Sequence, residues 1–200
     1  VTEMFRDPVF YKDLREKVIP TLASYPVIQI WHAGCATGEE VYSMSILLEE
    51  AGLLSRTRLY ATDLNPINLE RARQGIIPLK QIKEYTLNYI KSGGQNDFSS
   101  YYTAHYDNAM IRKEYRENVV FAQHNLAVDQ VFIEFQLICC LNVMIYFNQE
   151  LQNRAVHLFY DSLSPLGYLG IGIKESLLFT DIQQQFEVVS SGSRIYRRKK

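Results

Sequence analysis

Short β-branched runs alternate with longer helical patterns along this chain, and a glycine-bounded loop joins the first such pair. Val27-Ile-Gln-Ile-Trp-His-Ala33 reads as a strand and Gly34-Cys-Ala-Thr-Gly38 as the loop. Glu39–Ala51 follows as a helix, with Met44, Leu47, Leu48 and Ala51 at helical spacing and Gly52 as its stop. Arg58-Leu-Tyr-Ala-Thr62 repeats the strand pattern and ends on Asp63. Asn65 and Pro66 then mark a helix start, Asn as N-cap and Pro at the first helical position. Val119–Ala122, Phe135–Cys140 and Tyr168–Ile173 read as further strands, Gln149–Leu163 as a helix and Pro165-Leu-Gly167 as a turn. Phe186–Ser190 and Arg194–Arg198 read as a closing hairpin across Ser191-Gly192-Ser193. Strands alternating with helices imply right-handed βαβ units, hence an α/β chain with a doubly wound, mostly parallel sheet covered on both faces.

Between Lys91 and Asn118 the alternation breaks. Ser92-Gly-Gly-Gln-Asn-Asp97 reads as a flexible turn, and Tyr101, Tyr102, Tyr106 and Tyr115 after it mark an antiparallel excursion. A length of 200 residues fits one domain, 1–200, with this excursion as an insertion around 91–118. Lys and Arg number 21 against 22 Asp and Glu, so the chain lacks the basic excess of a phosphate-tracking nucleic-acid binder. Cys35, Cys139 and Cys140 make neither a disulfide framework nor a zinc spacing, which predicts a reducing, cytoplasmic setting. No secretory signal opens the chain. The most apolar long window, Val131–Phe147, holds Glu134, Gln136 and Asn142 and is short for a bilayer span, so membrane insertion is not expected. A first residue of Val reads as a piece of a longer protein.

In a doubly wound sheet, ligands bind outside the carboxyl ends of the strands where strand order reverses, and the first βα loop is the natural place to look. Here that loop runs directly into Glu39-Glu40. A dinucleotide loop lays pyrophosphate on the helix N-terminus, and two carboxylates there would repel it. They suit a cationic ligand instead, such as the ammonium and sulfonium of S-adenosylmethionine. The bland alternative is that both acids only stabilise the helix dipole, worth about 0.3–1 kcal/mol. Asp63 sits where a carboxylate accepts hydrogen bonds from ribose hydroxyls, or where a turn residue would be. Asn125, beyond the third strand, can offer donor and acceptor to an adenine edge or cap its own loop. Asn142 and Tyr146 follow the fourth strand, where substrate-facing groups lie. His32, His105, His124 and His157 fall at no metal spacing and read as structural or solvated; no metal is expected.

Thr2-Glu-Met-Phe-Arg-Asp7, Gly34-Cys-Ala-Thr-Gly-Glu-Glu40 with Tyr42-Ser43, Ala61-Thr-Asp63, Asn125-Leu126 and Asn142-Val-Met-Ile-Tyr-Phe147 come in the order and approximate spacing of CheR-type chemotaxis methyltransferases. The chain resembles their catalytic domain from Thr2 to Ile195-Tyr196. The resemblance implies a class I methyltransferase fold, Rossmann-like, with a seven-stranded sheet and an antiparallel last strand. It implies S-adenosylmethionine as cofactor, S-adenosylhomocysteine as product, and methyl transfer to glutamate side chains of chemoreceptors. By position it makes Thr2, Arg6, Gly34, one of Glu39 and Glu40, Asp63, Asn125, Leu126 and Asn142 cofactor contacts. Arg6 and Tyr146 become groups beside methyl transfer. The excursion matches a small β-subdomain that docks a receptor tail in some members, and the implied partner is a chemoreceptor cytoplasmic domain or another signalling protein. The family's helical N-terminal domain is absent from this sequence, and Leu141 stands where the family has Arg.

A glutamate nucleophile, with an ordinary pKa of about 4.3, is ionised at neutral pH and needs no general base. The absence of a Ser-His-Asp set is therefore expected. Two other readings share parts of this pattern. An NAD-dependent oxidoreductase would use the same sheet and Asp63, but Glu39-Glu40 and the missing third glycine disfavour it. A relative that binds cofactor or partner without transferring methyl is the other, with Leu141 as its hint.

Overall fold

The structure, a computed structural model, describes residues 2–131 and 133–200. The chain opens with helix α1 (Pro8–Asp13), a π-helical turn (Leu14–Val18) and the short α2 (Ile19–Leu22). Strand β1 (Ile28–Ala33), helix α3 (Glu39–Glu50), strand β2 (Thr57–Asp63) and helix α4 (Pro66–Gln74) follow. Next come β3 (Ile76–Pro78), α5 (Ile82–Lys91), β4 (Tyr102–His105), β5 (Asn108–Ile111) and β6 (Val119–Gln123). The last part is β7 (Phe135–Cys140), α6 (Gln149–Ser162), β8 (Leu163–Ile171), β9 (Phe186–Ser190) and β10 (Ile195–Arg198).

Seven strands form one sheet in the order β6-β2-β1-β7-β8-β10-β9. β1 pairs in parallel with β2 on one side and β7 on the other, and β6 and β8 extend the parallel run outward. β10 lies antiparallel between β8 and β9, closing the sheet with the expected hairpin. Strand order therefore reverses between β1 and β7. All of β7 is buried and only Gln29 of β1 is not, as a central parallel strand covered on both faces requires. Successive β1 side chains serve opposite layers. Ile28 and Ile30 join a core with α1, α3 and α5, while Trp31 and Ala33 join a second core with α6. Trp31 is the largest buried side chain; its Nε1–H donates to Thr62 Oγ1 at 2.8 Å and its ring meets Phe159 edge-on.

Two expectations are revised. Pro165-Leu-Gly167 is no free turn but lies inside β8, where the pairing with β7 shifts register between Phe135 and Leu137 and Leu166 takes φ +64°. A bulge absorbs the extra residues, so one strand runs from Leu163 to Ile171. The antiparallel excursion begins before 91. Its three-stranded sheet runs β3-β5-β4 and takes Ile76–Pro78 from ahead of α5. Three residues ending on Pro are too few to show a period. Among the described residues, no helix is long and apolar enough to cross a membrane.

Candidate active site

A cavity of about 630 Å³ opens at the carboxyl ends of β1, β2, β6 and β7 and beyond β8, where strand order reverses. The volume falls in the range of small-ligand sites. The N-terminal segment borders it through Thr2 and Arg6, held in place because Phe5 N–H donates to Ser43 Oγ (2.9 Å), whose hydroxyl in turn donates to Glu39 O (2.7 Å). Of the Tyr42-Ser43 pair seen in the sequence, Ser43 thus ties the segment before α1 to the first turn of α3, while the Tyr42 hydroxyl donates to Ala72 O of α4. Asp7, Ala36 in the loop after β1, and Asn142, all on the cavity wall, take left-handed backbone at φ +54°, +49° and +60°. Such non-glycine residues cluster where surrounding contacts over-determine a site.

Gly34 lines the cavity at φ +76°, and a Cβ there would fall 2.4 Å from Cγ2 of Val143. Glycine is required by the close approach of the β7 loop. The acidic pair separates. Glu40 lines the cavity, and its Oε1 lies 2.7 Å from Nδ1 of the fully buried His32. Glu39 is off the cavity wall and buried, its carboxylate accepting from the Thr37 hydroxyl at 2.9 and 2.6 Å. Burial raises the Glu39 carboxyl above its ordinary value despite that hydroxyl. Of this acidic pair, Glu40 lines the cavity and Glu39 does not.

Asp63 also lines the cavity, and each of its oxygens accepts one backbone N–H at 2.9 Å: Oδ2 from Ala36 and Oδ1 from Asn65. A carboxylate has about four lone-pair sites, so two bonds leave capacity for a ligand. The turn and ribose readings are compatible in one residue. Asn125 borders the cavity beside the nearly buried Leu126, and its Oδ1 accepts from Ala127 N at 2.9 Å, so it caps its own loop as well. The lining acids are Glu3, Asp7, Glu40 and Asp63, against Arg6 and His124 as the basic side chains among the described residues. That excess of carboxylates fits a cationic ligand such as S-adenosylmethionine and opposes a diphosphate.

On the far wall, Asn142 and Leu141 follow β7, and a 3-10 turn over Met144–Tyr146 carries Tyr146 to the mouth, 81% exposed. Glu175, which sequence reading missed, fixes this wall. Its Oε1 accepts from Asn142 N (2.8 Å) and Gly172 N (2.7 Å). Burial raises its carboxyl, although the Gly172, Asn142, Ile145 and Met144 amides all favour its charge. A Cβ on Gly172 would lie 2.6 Å from Glu175 Oε1 and 2.7 Å from Asn142 Oδ1, so glycine keeps the cradle open. The 33-residue separation of Glu175 and Asn142 left no local signal.

His32 likewise reads as unremarkable in the sequence, yet the fold brings it, Glu40 and Cys139 within 4.8 Å of one another. Burial, then Glu40, pushes the Cys139 thiol far up. Cys35, on the cavity wall, is pushed up by burial and by Asp63 and Glu40 beside it. A thiol so raised is a poor nucleophile or ligand. His157 bonds Asp181 at the surface, away from the cavity.

The family model described as "CheR methyltransferase, SAM binding domain" matches residues 1–195. The chain is 52% identical over 198 residues to the Pseudomonas putida protein named "Putative methyltransferase Cher3", covering 99% of this chain and 72% of that one. It is 35% identical to the "Chemotaxis protein methyltransferase" of Listeria innocua, over 89% of this chain and 66% of the relative. In fold it is similar to the N-methyltransferase NodS of Bradyrhizobium japonicum in complex with S-adenosylhomocysteine, with a TM-score of 0.54 at 14% identity, covering 100% of this chain and 90% of that one. The magnesium protoporphyrin IX methyltransferase of Synechocystis gives 0.50 at 16% identity, over 96% and 81% of the two chains.

Proposed function

Because this chain belongs to the CheR methyltransferase family and carries its SAM-binding domain, we propose that it methylates glutamate side chains on the cytoplasmic domain of a chemoreceptor, or on another signalling protein, forming methyl esters. S-adenosylmethionine is the cofactor, and what it supplies when bound is an electrophilic methyl on a sulfonium. The observation that carries the reading is the acidic cavity, with Glu40 facing it from the first turn of α3 and Asp63 from the end of β2.

The chain's own residues then divide the work. Glu40 receives the cationic amino-acid end of the cofactor and Asp63 the ribose. Asn125 and Leu126 hold the adenine, and Thr2, Arg6, Gly34 and Asn142 complete the walls. Arg6, through its forked guanidinium, and Tyr146, through its hydroxyl, orient the incoming carboxylate. That carboxylate is already ionised, so the residues beside it position rather than deprotonate, and orientation alone can supply roughly 7–11 kcal/mol. A substrate on a receptor's cytoplasmic domain places the reaction in the cytoplasm. The β3-β5-β4 sheet is the surface offered to a receptor tail.

Two measurements test this. Calorimetric titration should show S-adenosylhomocysteine binding and no binding of NADH; the reverse removes the proposal. Incubation with methyl-labelled cofactor and a chemoreceptor cytoplasmic fragment should yield base-labile label on glutamate. Cofactor binding with no ester at saturation would make the chain a binding module instead.

A further inference from the structure

We propose that His32 is a positioning residue for cofactor binding, holding the Glu40 carboxylate in its binding orientation from beneath the cavity. This rests on the reading of Glu40 as the acceptor of the cofactor's cationic end. His32 lies inside β1, between Ala61 of β2 and Cys139 of β7, and is fully buried. Its Nδ1 lies 2.7 Å from Glu40 Oε1, while its Nε2 is buried with no hydrogen-bond partner among the described residues. The two neutral tautomers are not equivalent here. With the proton on Nδ1, the 2.7 Å contact is a hydrogen bond to a carboxylate, and Nε2 is an acceptor left unfilled. With the proton on Nε2, a lone pair would face the carboxylate and a donor would be stranded in the core. The geometry therefore sets the Nδ1–H tautomer, and the proton's place follows from the contact.

Glu40 sits in the first turn of α3 with a side chain only 13% exposed. A glutamate has three side-chain torsions to order, and a ligand that meets it already ordered does not bear that entropy. One oxygen spent on His32 leaves the other for the ligand. The pair spans two elements, β1 and α3, so the sheet itself sets where the charge stands. The Thr37–Glu39 contact on the adjoining residue makes the same division legible: one acid turned in and capped, the other braced from below.

The test compares two polar variants of similar tolerance in the core. In His32→Asn the amide nitrogen takes the place of Nδ1, whereas in His32→Gln it takes the place of Nε2. Affinity for S-adenosylhomocysteine is measured by calorimetry, with KM for S-adenosylmethionine and kcat for methyl transfer alongside. His32→Gln should weaken binding about tenfold, equivalent to about 1.4 kcal/mol, and raise KM with kcat at saturation unchanged. His32→Asn should stay near the parent. On a Glu40→Gln background, His32→Gln should add no further loss, because the group it positions is already altered. Equal loss in the Asn and Gln variants, or full additivity with Glu40→Gln, overturns the positioning role while leaving the Glu40 reading intact. Unchanged affinity in Glu40→Gln alone overturns that reading and this one with it.

Discussion

Gly34 has no room for a methyl group. Its φ of +76° and the 2.4 Å approach of Val143 Cγ2 act together, so Gly34→Ala should lose roughly 1–2 kcal/mol to left-handed backbone and a further 1–3 kcal/mol to overpacking. A urea midpoint falling by that amount, with weaker S-adenosylhomocysteine binding, is the expected outcome. Glu39 gives a signed pH dependence. Its folded pKa is raised by burial above an ordinary value of 4.5, so its contribution to stability is fully present below that value and is lost as pH rises through the folded pKa. Glu39→Gln should accordingly match the parent near pH 4 and exceed it in thermal midpoint near pH 8. The sequence shows both acids of this pair but not their division, which depends on the turn at Thr37 and the phase of α3 against β1. Asp63 and Gly34 stand out because strand ends and tight turns leave local marks. His32 and Glu175 do not, since their partners lie on other elements.

At the scale of elements, the clearest local signal is Asn65-Pro66. The Asn65 side chain accepts from Ile67 N at 2.9 Å and Pro66 opens α4, as that dipeptide predicts. Asn65→Ala should cost about 1 kcal/mol in a denaturation midpoint. Cofactor affinity should change little, since only the helix start is touched. The central strands of the large sheet are legible because β1 and β7 are short apolar runs buried on both faces. The bulge in β8 is not, because Pro165-Leu-Gly167 carries turn residues whether the chain reverses there or merely kinks. β3 escapes for another reason: it exists only through its pairing with β5.

At the scale of the whole molecule, a buried carboxylate joins elements far apart in the chain. Arg15 Nη1 meets Glu50 Oε2 at 2.8 Å, and the Tyr89 and Tyr101 hydroxyls donate to Glu50 Oε1 at 2.7 and 3.2 Å. Those partners come from the π-helical turn, the end of α3, α5 and the approach to β4, so one carboxylate adds a polar tie to the shared apolar core that already joins the small sheet to the large domain. Removing one charge of a buried pair costs about 3–5 kcal/mol. Glu50→Gln should show a loss of that order in equilibrium unfolding, and faster proteolysis within 92–118. The α/β class follows from alternation alone, but this anchor could not be read from it. Arg15, Glu50 and Tyr101 are far apart in the chain and each looks like an ordinary surface residue.

Asp63 holds Ala36 with one oxygen and Asn65 with the other, so the first two crossover loops share a single staple. Neither loop can therefore report on a ribose alone. A ligand that draws this carboxylate toward its hydroxyls tugs on both loops at once, and Asp63→Ala would confound lost contact with a loosened frame. Asp63→Asn confounds them too, because its amide keeps one accepting oxygen and puts a donor nitrogen where the other stood. Titrating the unaltered protein with a cofactor analogue that lacks the ribose hydroxyls is what can tell the sugar from the staple.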